Sequence, residues 1–319
     1  MRRGTASYSP EMLARFAITP GALAEGYCSS TAALELGIGC LNDLCRAEGL
    51  FTDLREGDWS RSADSIGPLA KRFLAFARKE RRLIQVPPQL ATDPDNDEEW
   101  LWEAQALHRT FPCRALITHK DLASDYAEDP TVVSIERLNA SDWWAARSPT
   151  KSVARTTAAY LGTLDLVLRN ANSLMFIDPY IDPLAPNYRE FPQLLLAVGA
   201  AGRRPLIEIH RASWRTVQGR HEGTSVAQWI ADFTPWSERL ARAGLTATVF
   251  LWENHHDRYL ISDLVGIGML NGFDIGHNQN ETSTWSRLGP AGCDQQQKEF
   301  DRACGIHRLV SYFEIGVGS

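Results

Sequence analysis

The sequence lacks long apolar runs, a leading apolar segment, closely spaced cysteine pairs and an excess of positive charge. No run approaches the roughly 20 apolar residues that cross a bilayer, and polar and small residues follow Met1-Arg2-Arg3, so we expect a cytoplasmic protein with no membrane span. The six cysteines form no C-x-x-C pair, which argues against a zinc-finger cluster and for reduced thiols. A net charge of −6 argues against strong nonspecific binding to nucleic acid, so any such contact should come from a local patch.

The sequence also shows no internal repeat and no low-complexity tract, so its 319 residues should form ordinary globular domains. A hydrophobic content of 44% is enough for a sizeable core. The pattern changes near Pro149, where we place a domain boundary. Residues 1–150 are predicted to form a mostly helical domain with a few strands. Residues 151–319 are predicted to form an α/β domain, in which helices flank a layered mixed sheet.

Capping residues and apolar periodicity predict individual helices and strands. Ser9-Pro10 is typical of a helix start and predicts a short helix over residues 11–16. Ser30 predicts the N-cap of a longer helix. Leu50–Arg61 has mixed polarity and is predicted to be a turn or hairpin, whereas Thr150–Ala171 is predicted to be one long helix. Strands are predicted at Ser173–Tyr180, Leu206–His210, Thr246–Trp252 and Tyr259–Ser262.

The stretch Val249–Asp263 joins an apolar run rich in β-formers to a histidine, an arginine and an aspartate. It contains the pattern H-x-R-x-x-x-x-D, formed by His256, Arg258 and Asp263. If the chain is extended here, His256 and Arg258 point to one face, whereas Asp263 has the opposite parity and reaches them only through a turn. A histidine can attack phosphorus, and a guanidinium can bind two nonbridging oxygens. The three residues therefore predict a phosphodiester-processing site, with Asp263 orienting the imidazole.

Four residues outside this stretch are candidate substrate contacts. Asp178 and Tyr180 end a predicted strand, where α/β sheets place ligands, although a turn role fits them equally. His210 ends another strand and either faces the site or is a buried, hydrogen-bonded histidine. Arg211 lies in a basic run that is either a groove wall for a nucleic-acid backbone or a solvated surface. The run comprises Arg203, Arg204, His210, Arg211, Arg215, Arg220 and His221.

The segment His255-His256-Asp257 contains side-chain types that ligate metals. Adjacent histidines on a strand point to opposite faces, which disfavours joint ligation of one ion. We therefore predict no metal site and expect His255 to have a structural or supporting role.

The central pattern resembles the phospholipase D superfamily, whose signature is H-x-K-x-x-x-x-D. The match is His256, Arg258 and Asp263 with the spacing intact, and arginine replaces lysine. The segment 177–180 and the glycine-containing segment 266–274 are similar to features that flank the motif in bacterial members, so the resemblance covers roughly residues 151–319. The G-S/G-x-N sequence that usually follows the motif is not present as such. Asn271, Asn278 or Asn280 could take its place, and Asn271 is our candidate substrate contact.

The resemblance implies a PLD-like sheet and a metal-independent phosphodiesterase that uses no cofactor and forms a phospho-histidine intermediate. That mechanism needs two histidines, one as nucleophile and one as general acid. Because the chain has no second H-x-K/R motif, the resemblance implies a homodimer in which each chain contributes one His256 to a shared site. We expect a nuclease acting on nucleic acid, with DNA as the first choice, in a bacterial defence system that includes a partner protein.

Two other functions compete with the nuclease. The replacement of lysine by Arg258 and the missing asparagine motif suggest a catalytically degenerate domain that binds phosphate-bearing ligands or proteins without cleaving them. A lipid phosphodiesterase is the third hypothesis, and the sequence offers no apolar amphipathic anchor to support it.

Overall fold

The computed structural model describes residues 12–64, 66–198, 202–276, 278 and 280–316. The chain divides into two compact units, Met1–Ser148 and Pro149–Ser319. Among the helices of these described residues, none combines the length and hydropathy that crossing a bilayer requires.

The first unit contains a five-stranded parallel sheet with the strand order β3-β2-β1-β4-β5. Its strands are β1 Ala14–Ile18, β2 Gly49–Asp53, β3 Leu83–Gln85, β4 Ala115–Thr118 and β5 Val132–Ser134. Its helices are α1 Thr31–Ala47, α2 Leu54–Asp64, α3 Pro68–Lys79, α4 Asp97–Thr110, α5 Lys120–Asp125 and α6 Asp142–Ala145, with 3₁₀ turns at Pro20–Leu23, Glu25–Tyr27 and Ile135–Ala140.

Local signals in the first unit predicted one helix start correctly and mistook one strand for a helix. The Ser30 side chain accepts a hydrogen bond from the Ala33 N–H at 3.2 Å, which confirms the predicted N-cap of α1. The helix predicted over residues 11–16 is wrong where it is described, because residues 14–18 form β1; Ser9-Pro10 lies outside the described residues. All five β1 residues are buried, and a short apolar run buried on both sides has no periodicity that separates strand from helix.

Two further element predictions are wrong for a related reason. Leu50–Arg61 is not a hairpin: it holds most of β2 and most of α2. Thr150–Ala171 is not one helix, because residues 150–154 form a strand and the helix begins only after Thr156, which accepts a hydrogen bond from the Ala159 N–H. In both stretches, pairing with a distant strand overrides the local helix or turn pattern.

The second unit is built on an eight-stranded mixed sheet with the order β15-β11-β8-β7-β12-β13-β14-β6. Strands β11, β8 and β7 are parallel, and the other neighbouring pairs are antiparallel. The strands are β6 Thr150–Ala154, β7 Ser173–Ile177, β8 Leu206–Ala212, β9 Trp214–Val217, β10 Arg220–Gly223, β11 Ala247–Trp252, β12 Tyr259–Ser262, β13 Gly266–Met269, β14 Thr282–Arg287 and β15 Leu309–Ile315. Strands β9 and β10 form a separate hairpin.

Helices flank this sheet, so the predicted α/β class with a mixed sheet is confirmed. They are α7 Thr157–Asn170, α8 Pro192–Val198, α9 Val226–Arg242 and α10 Pro290–Glu299, with a 3₁₀ turn at Pro186–Tyr188. Phe176 of β7 packs against Phe191 just before α8, with ring centroids 5.4 Å apart. Phe191 in turn stacks on Trp236 of α9 at 5.4 Å. The aromatic core therefore lies between the sheet and these helices.

The carboxyl ends of the three parallel strands meet at one edge of this sheet. The register aligns Ile177 of β7 with His210 of β8, and His210 with Phe250 of β11. The antiparallel strand β12 starts at the same edge, where Tyr259 pairs with Ile177. In sheets of this kind, ligands bind beyond the carboxyl ends of parallel strands, so this edge is where a site is expected.

Candidate functional site

The segment 253–258 crosses this edge between β11 and β12 without regular secondary structure. His256 is exposed there, and Arg258 is half-buried. The Arg258 carbonyl accepts a hydrogen bond from the Met269 N–H at 2.9 Å, which ties the end of the segment to β13. The structure therefore places the predicted imidazole and guanidinium on one short segment at the carboxyl edge.

Arg258 lines a small open cavity of about 270 Å³. Its guanidinium carbon lies 5.0 Å from the centre of the Tyr180 ring, which is a cation–π contact. The cavity is lined by Tyr180, Asn187, Tyr188, Arg258, Leu270, Asn271 and Asp274. Three of the predicted site residues, Tyr180, Arg258 and Asn271, are thus brought together. A cation beside polar groups in an open cavity can bind a phosphate.

Asp178 lies beneath this cavity and is fully buried. Its carboxylate accepts hydrogen bonds from the Tyr180 N–H at 3.0 Å, the Tyr188 hydroxyl at 2.9 Å and the Phe273 N–H at 3.0 Å. Burial raises its pKa to about 6, while these donors and nearby Arg258 act in the opposite direction. Asp178 therefore holds three segments of the cavity wall in place, and its burial leaves no surface for the predicted contact with substrate.

Gly272 permits this close arrangement. Its φ is +64°, and a Cβ at this position would overlap the Asp178 carboxylate and press on the Arg258 Cδ. Glycine is therefore required at position 272, because it adopts the left-handed backbone conformation without strain and has no Cβ to clash with these side chains.

Asp274 is a second acid at the cavity that sequence reasoning did not assign to the site. Its carboxylate accepts a hydrogen bond from the Arg155 guanidinium at 2.7 Å, and Arg155 also binds Glu281 at 2.8 Å. Burial raises the pKa of Asp274, and the charges of Arg155 and Arg258 oppose that rise. Asp274 belongs to the glycine-containing segment 266–274 that follows the motif, and this position in the sequence could have identified it as a site residue. By contrast, Asn187 and Tyr188 lie far from any motif, and only the fold brings them in.

Asp263 lies at the opposite end of β12 from Arg258. It accepts hydrogen bonds from the Asn172 N–H at 2.9 Å, the Asn172 side-chain amide at 3.0 Å and the Ser173 N–H at 3.4 Å. At about 3.3 Å per residue, β12 separates the two ends of the motif by about 15 Å. The prediction that Asp263 turns back to orient the His256 imidazole is therefore wrong; it fixes the start of β7.

His210 and Arg211 do not line the cavity of Arg258. His210 is 1% exposed: it stacks on Phe250 at 4.8 Å and accepts a hydrogen bond from the Trp252 indole N–H at 3.1 Å. Arg211 is likewise 1% exposed. It donates to three backbone carbonyls, each at 2.6 Å, those of Ile181, Ala212 and Trp214. His210 is thus placed as the buried, hydrogen-bonded histidine of the second alternative, and neither residue lines the cavity of Arg258.

His255 and His256 face different environments. His255 is 3% exposed and lies edge-on against Phe300 at 5.0 Å. Neither of its ring nitrogens has a hydrogen-bond partner among the described residues, and burial lowers its pKa to about 3. His255 is therefore a neutral, packed ring, while its neighbour His256 lies at the surface. No group of side chains suited to holding a metal ion occurs among the described residues.

The basic run around β8 does not form one continuous wall. Arg203 lies before β8 and donates to the Asn170 carbonyl at 2.6 Å. Arg215 lies after β8 and is paired with Asp182 and Asp232. Arg220 and His221 are exposed on β10. The run is thus spread along the strand and beyond both of its ends, and none of its residues lines the cavity of Arg258.

No family model matches this sequence, and no curated protein matches it. Solved structures similar to it include a phospholipase D family member, Nuc from Salmonella typhimurium, at 14% identity and a TM-score of 0.31, covering 50% of this chain and 96% of that chain. Polyphosphate kinase from Porphyromonas gingivalis is 10% identical with a TM-score of 0.32, covering 49% of this chain and 25% of that one. Phosphatidylserine synthase from Haemophilus influenzae is 8% identical with a TM-score of 0.30, covering 87% and 86%. At these values the comparisons assign neither a family nor an activity.

Proposed function

We propose that this protein is a metal-independent phosphodiesterase of the phospholipase D type, acting as a nuclease. The observation that carries the proposal is that Arg258 lines an open cavity at the carboxyl edge of three parallel strands, with the exposed His256 two residues before it on the same segment. An imidazole can serve as the nucleophile toward phosphorus, and the guanidinium stabilises charge on the nonbridging oxygens. The carboxylates of Asp178 and Asp274 lie close enough to Arg258 for their charges to interact with its guanidinium.

The reaction has two steps. In the first, an imidazole nitrogen of one His256 bonds to phosphorus, the bond to the leaving oxygen breaks, and a second His256 donates a proton to that oxygen. In the second step, the deprotonated second imidazole takes a proton from water, the water oxygen bonds to phosphorus, and the phosphorus–nitrogen bond breaks. Arg258 binds the nonbridging oxygens throughout.

The second His256 comes from a second copy of the chain, so the active form is a homodimer with one shared site on its two-fold axis. We assign the protein to the cytoplasm and to bacterial defence, with DNA as the first substrate to test and a partner protein from the same defence system.

A second candidate is a domain that binds phosphate groups without cleaving them. It is favoured by the position of Asp263, which is about 15 Å along β12 from the segment that holds His256 and cannot support its imidazole. Arg258, Asn271 and Tyr180 alone would suffice for binding.

Hydrolysis of DNA, RNA and bis(p-nitrophenyl) phosphate in excess EDTA tests the proposal. We expect turnover of at least one of these substrates, a loss of at least about a thousand-fold in His256→Ala, and a loss of about a hundred-fold or more in Arg258→Ala. Arg302→Ala is the matched control, because that guanidinium also lies over a tyrosine, Tyr312, at 5.8 Å, but far along the sheet from this cavity.

The two candidate functions give different results in this experiment. Turnover abolished by EDTA, or undiminished in His256→Ala, would rule out the phosphodiesterase mechanism. Absence of turnover together with phosphate binding that is lost in Arg258→Ala would establish the binding domain instead.

A further inference from the structure

The hairpin formed by β9 and β10 stands beside Tyr180, on the side away from Arg258's cavity. Its two strands pair from Trp214↔Gly223 to Val217↔Arg220. The connecting residues Gln218 and Gly219 both have positive φ, 49° and 78°. A two-residue turn of this kind matches the right-handed twist of the paired strands, so the hairpin has one well-defined register.

The base of this hairpin is anchored to the domain by ion pairs and hydrogen bonds. Arg215 binds Asp182 at 2.5 and 3.2 Å and Asp232 at 2.7 Å. Arg211 donates to the Trp214 carbonyl at 2.6 Å. Partly buried charge-assisted bonds of this kind hold an element in place, so the hairpin has a fixed position relative to Tyr180.

One face of the hairpin presents aromatic rings toward Tyr180. Trp214 and His221 stack with ring centroids 3.5 Å apart and planes 7° from parallel. Tyr180 packs edge-on against both, at 5.3 Å from Trp214 and 6.3 Å from His221. Trp214 is buried, whereas His221 is exposed. His221 is therefore the outer ring of a rigid stack, with one face toward solvent.

A second cavity of about 270 Å³ opens between this hairpin and Tyr180. It shares Tyr180, Asn187 and Tyr188 with the cavity that Arg258 lines, so the two cavities lie on either side of a common wall. Trp214, Arg215 and Thr216 line its far side.

Both arginines at this second cavity already have hydrogen-bond partners within the protein. Among the described residues that line it, Arg211 donates hydrogen bonds to backbone carbonyls, and Arg215 forms ion pairs with two carboxylates. The cavity therefore suits an uncharged, planar group with polar edges better than a second phosphate.

We infer that the exposed ring of His221, which stacks on Trp214 next to the second cavity without lining it, forms a subsite for the nucleoside next to the phosphate bound at Arg258. This inference rests on the proposed phosphodiester site. Stacking requires an unpaired base and tolerates every base, because each has a π-face. The substrate class is therefore single-stranded nucleic acid, read without strong sequence preference.

The test measures binding of a fluorescein-labelled single-stranded oligothymidylate by anisotropy to the full chain, with His256→Ala as the background of every protein compared so that the probe is not cleaved. We expect His221→Ala to weaken binding by about five- to a hundred-fold, and His221→Phe to retain most of the affinity because it keeps a ring. Val217→Ala, on the opposite face of the same hairpin, is the matched control and should bind like the His256→Ala parent. Competition experiments also give the affinity for inorganic phosphate. His221→Ala should weaken that affinity less than it weakens the affinity for the oligonucleotide.

The possible results separate this inference from the proposed function. Oligonucleotide that binds but is not cleaved by the wild type overturns the nuclease, and the His221 variants then still decide the subsite. Equal affinity in His221→Ala and the His256→Ala parent, or loss in His221→Phe as large as in His221→Ala, overturns the subsite even if cleavage is observed. Preference for a duplex of the same sequence, or no binding of the oligonucleotide, also overturns it.

Discussion

At the scale of single residues, the cavity depends on a carboxylate that touches no solvent. Asp178 joins the turn after β7, the 3₁₀ turn at Tyr188 and the loop at Phe273 through three hydrogen bonds. It also lies close enough to Arg258 for the two charges to interact. Removing its charge should therefore alter both stability and the field around the guanidinium.

The first prediction concerns the pH dependence of stability that Asp178 confers. Burial raises its pKa from 3.8 to about 6. Between these values the folded protein binds more protons than the unfolded chain, so the free energy of unfolding falls as pH rises through this window. The full difference corresponds to about 3 kcal/mol. Relative to Asp178→Asn, the wild type should lose most of this, about 2 kcal/mol, between pH 4 and pH 7.

Urea unfolding of both proteins at several pH values measures this difference. Asp178→Asn cannot titrate and keeps the size of the side chain, so subtracting its curve removes the contribution of all other groups. Parallel stability profiles for the two proteins over this range would contradict the prediction.

At the scale of secondary-structure elements, strand β12 separates Arg258, which lines the cavity, from Asp263, which binds the start of β7. Its first residue adjoins Arg258 at the carboxyl edge, and its last adjoins Asp263 at the start of β7. The H-x-R-x-x-x-x-D pattern thus spans one strand, with the proposed chemistry at its first end and structural hydrogen bonds at its last. Strand β12 is buried in its last three residues, which fixes its register between β7 and β13.

The second prediction follows from this division. Asp263→Ala leaves the Asn172 and Ser173 N–H groups without their carboxylate acceptor, so it should lower the free energy of unfolding by about 1–3 kcal/mol. At a temperature where the variant stays folded, its turnover per folded molecule should match the wild type within a few-fold. Thermal unfolding and activity on the same samples check both points. A loss of turnover as large as that of His256→Ala, with unchanged stability, would restore a catalytic role to Asp263.

At the scale of the whole molecule, the chain has two units with separate cores and separate sheets. The proposed chemistry belongs to the second unit, and it needs two imidazoles where one chain offers one His256. A shared site on a two-fold axis meets that need without any further motif.

The third prediction is a dominant effect of inactive chains. When wild-type and His256→Ala chains are co-expressed in equal amounts, about one quarter of random dimers carry two His256 residues. The specific activity should therefore fall to about one quarter of the wild-type value, whereas independent monomers would give about one half. Light scattering on the same preparation establishes the mass. Activity in proportion to the wild-type fraction, or a monomeric mass in the active sample, would refute the shared site.

The sequence by itself determined features that depend on neighbouring residues: the Ser30 cap, the apolar strands of the second unit, and the placement of His256 and Arg258 on one segment. These follow from local backbone geometry and side-chain alternation. Only the tertiary structure decided that Asp263 lies at the far end of β12, that His210 is enclosed, and that Asn187, Asp274 and the β9–β10 hairpin meet around Tyr180. Strand pairing sets these positions, and it depends on burial between residues far apart in the chain, which no local pattern records.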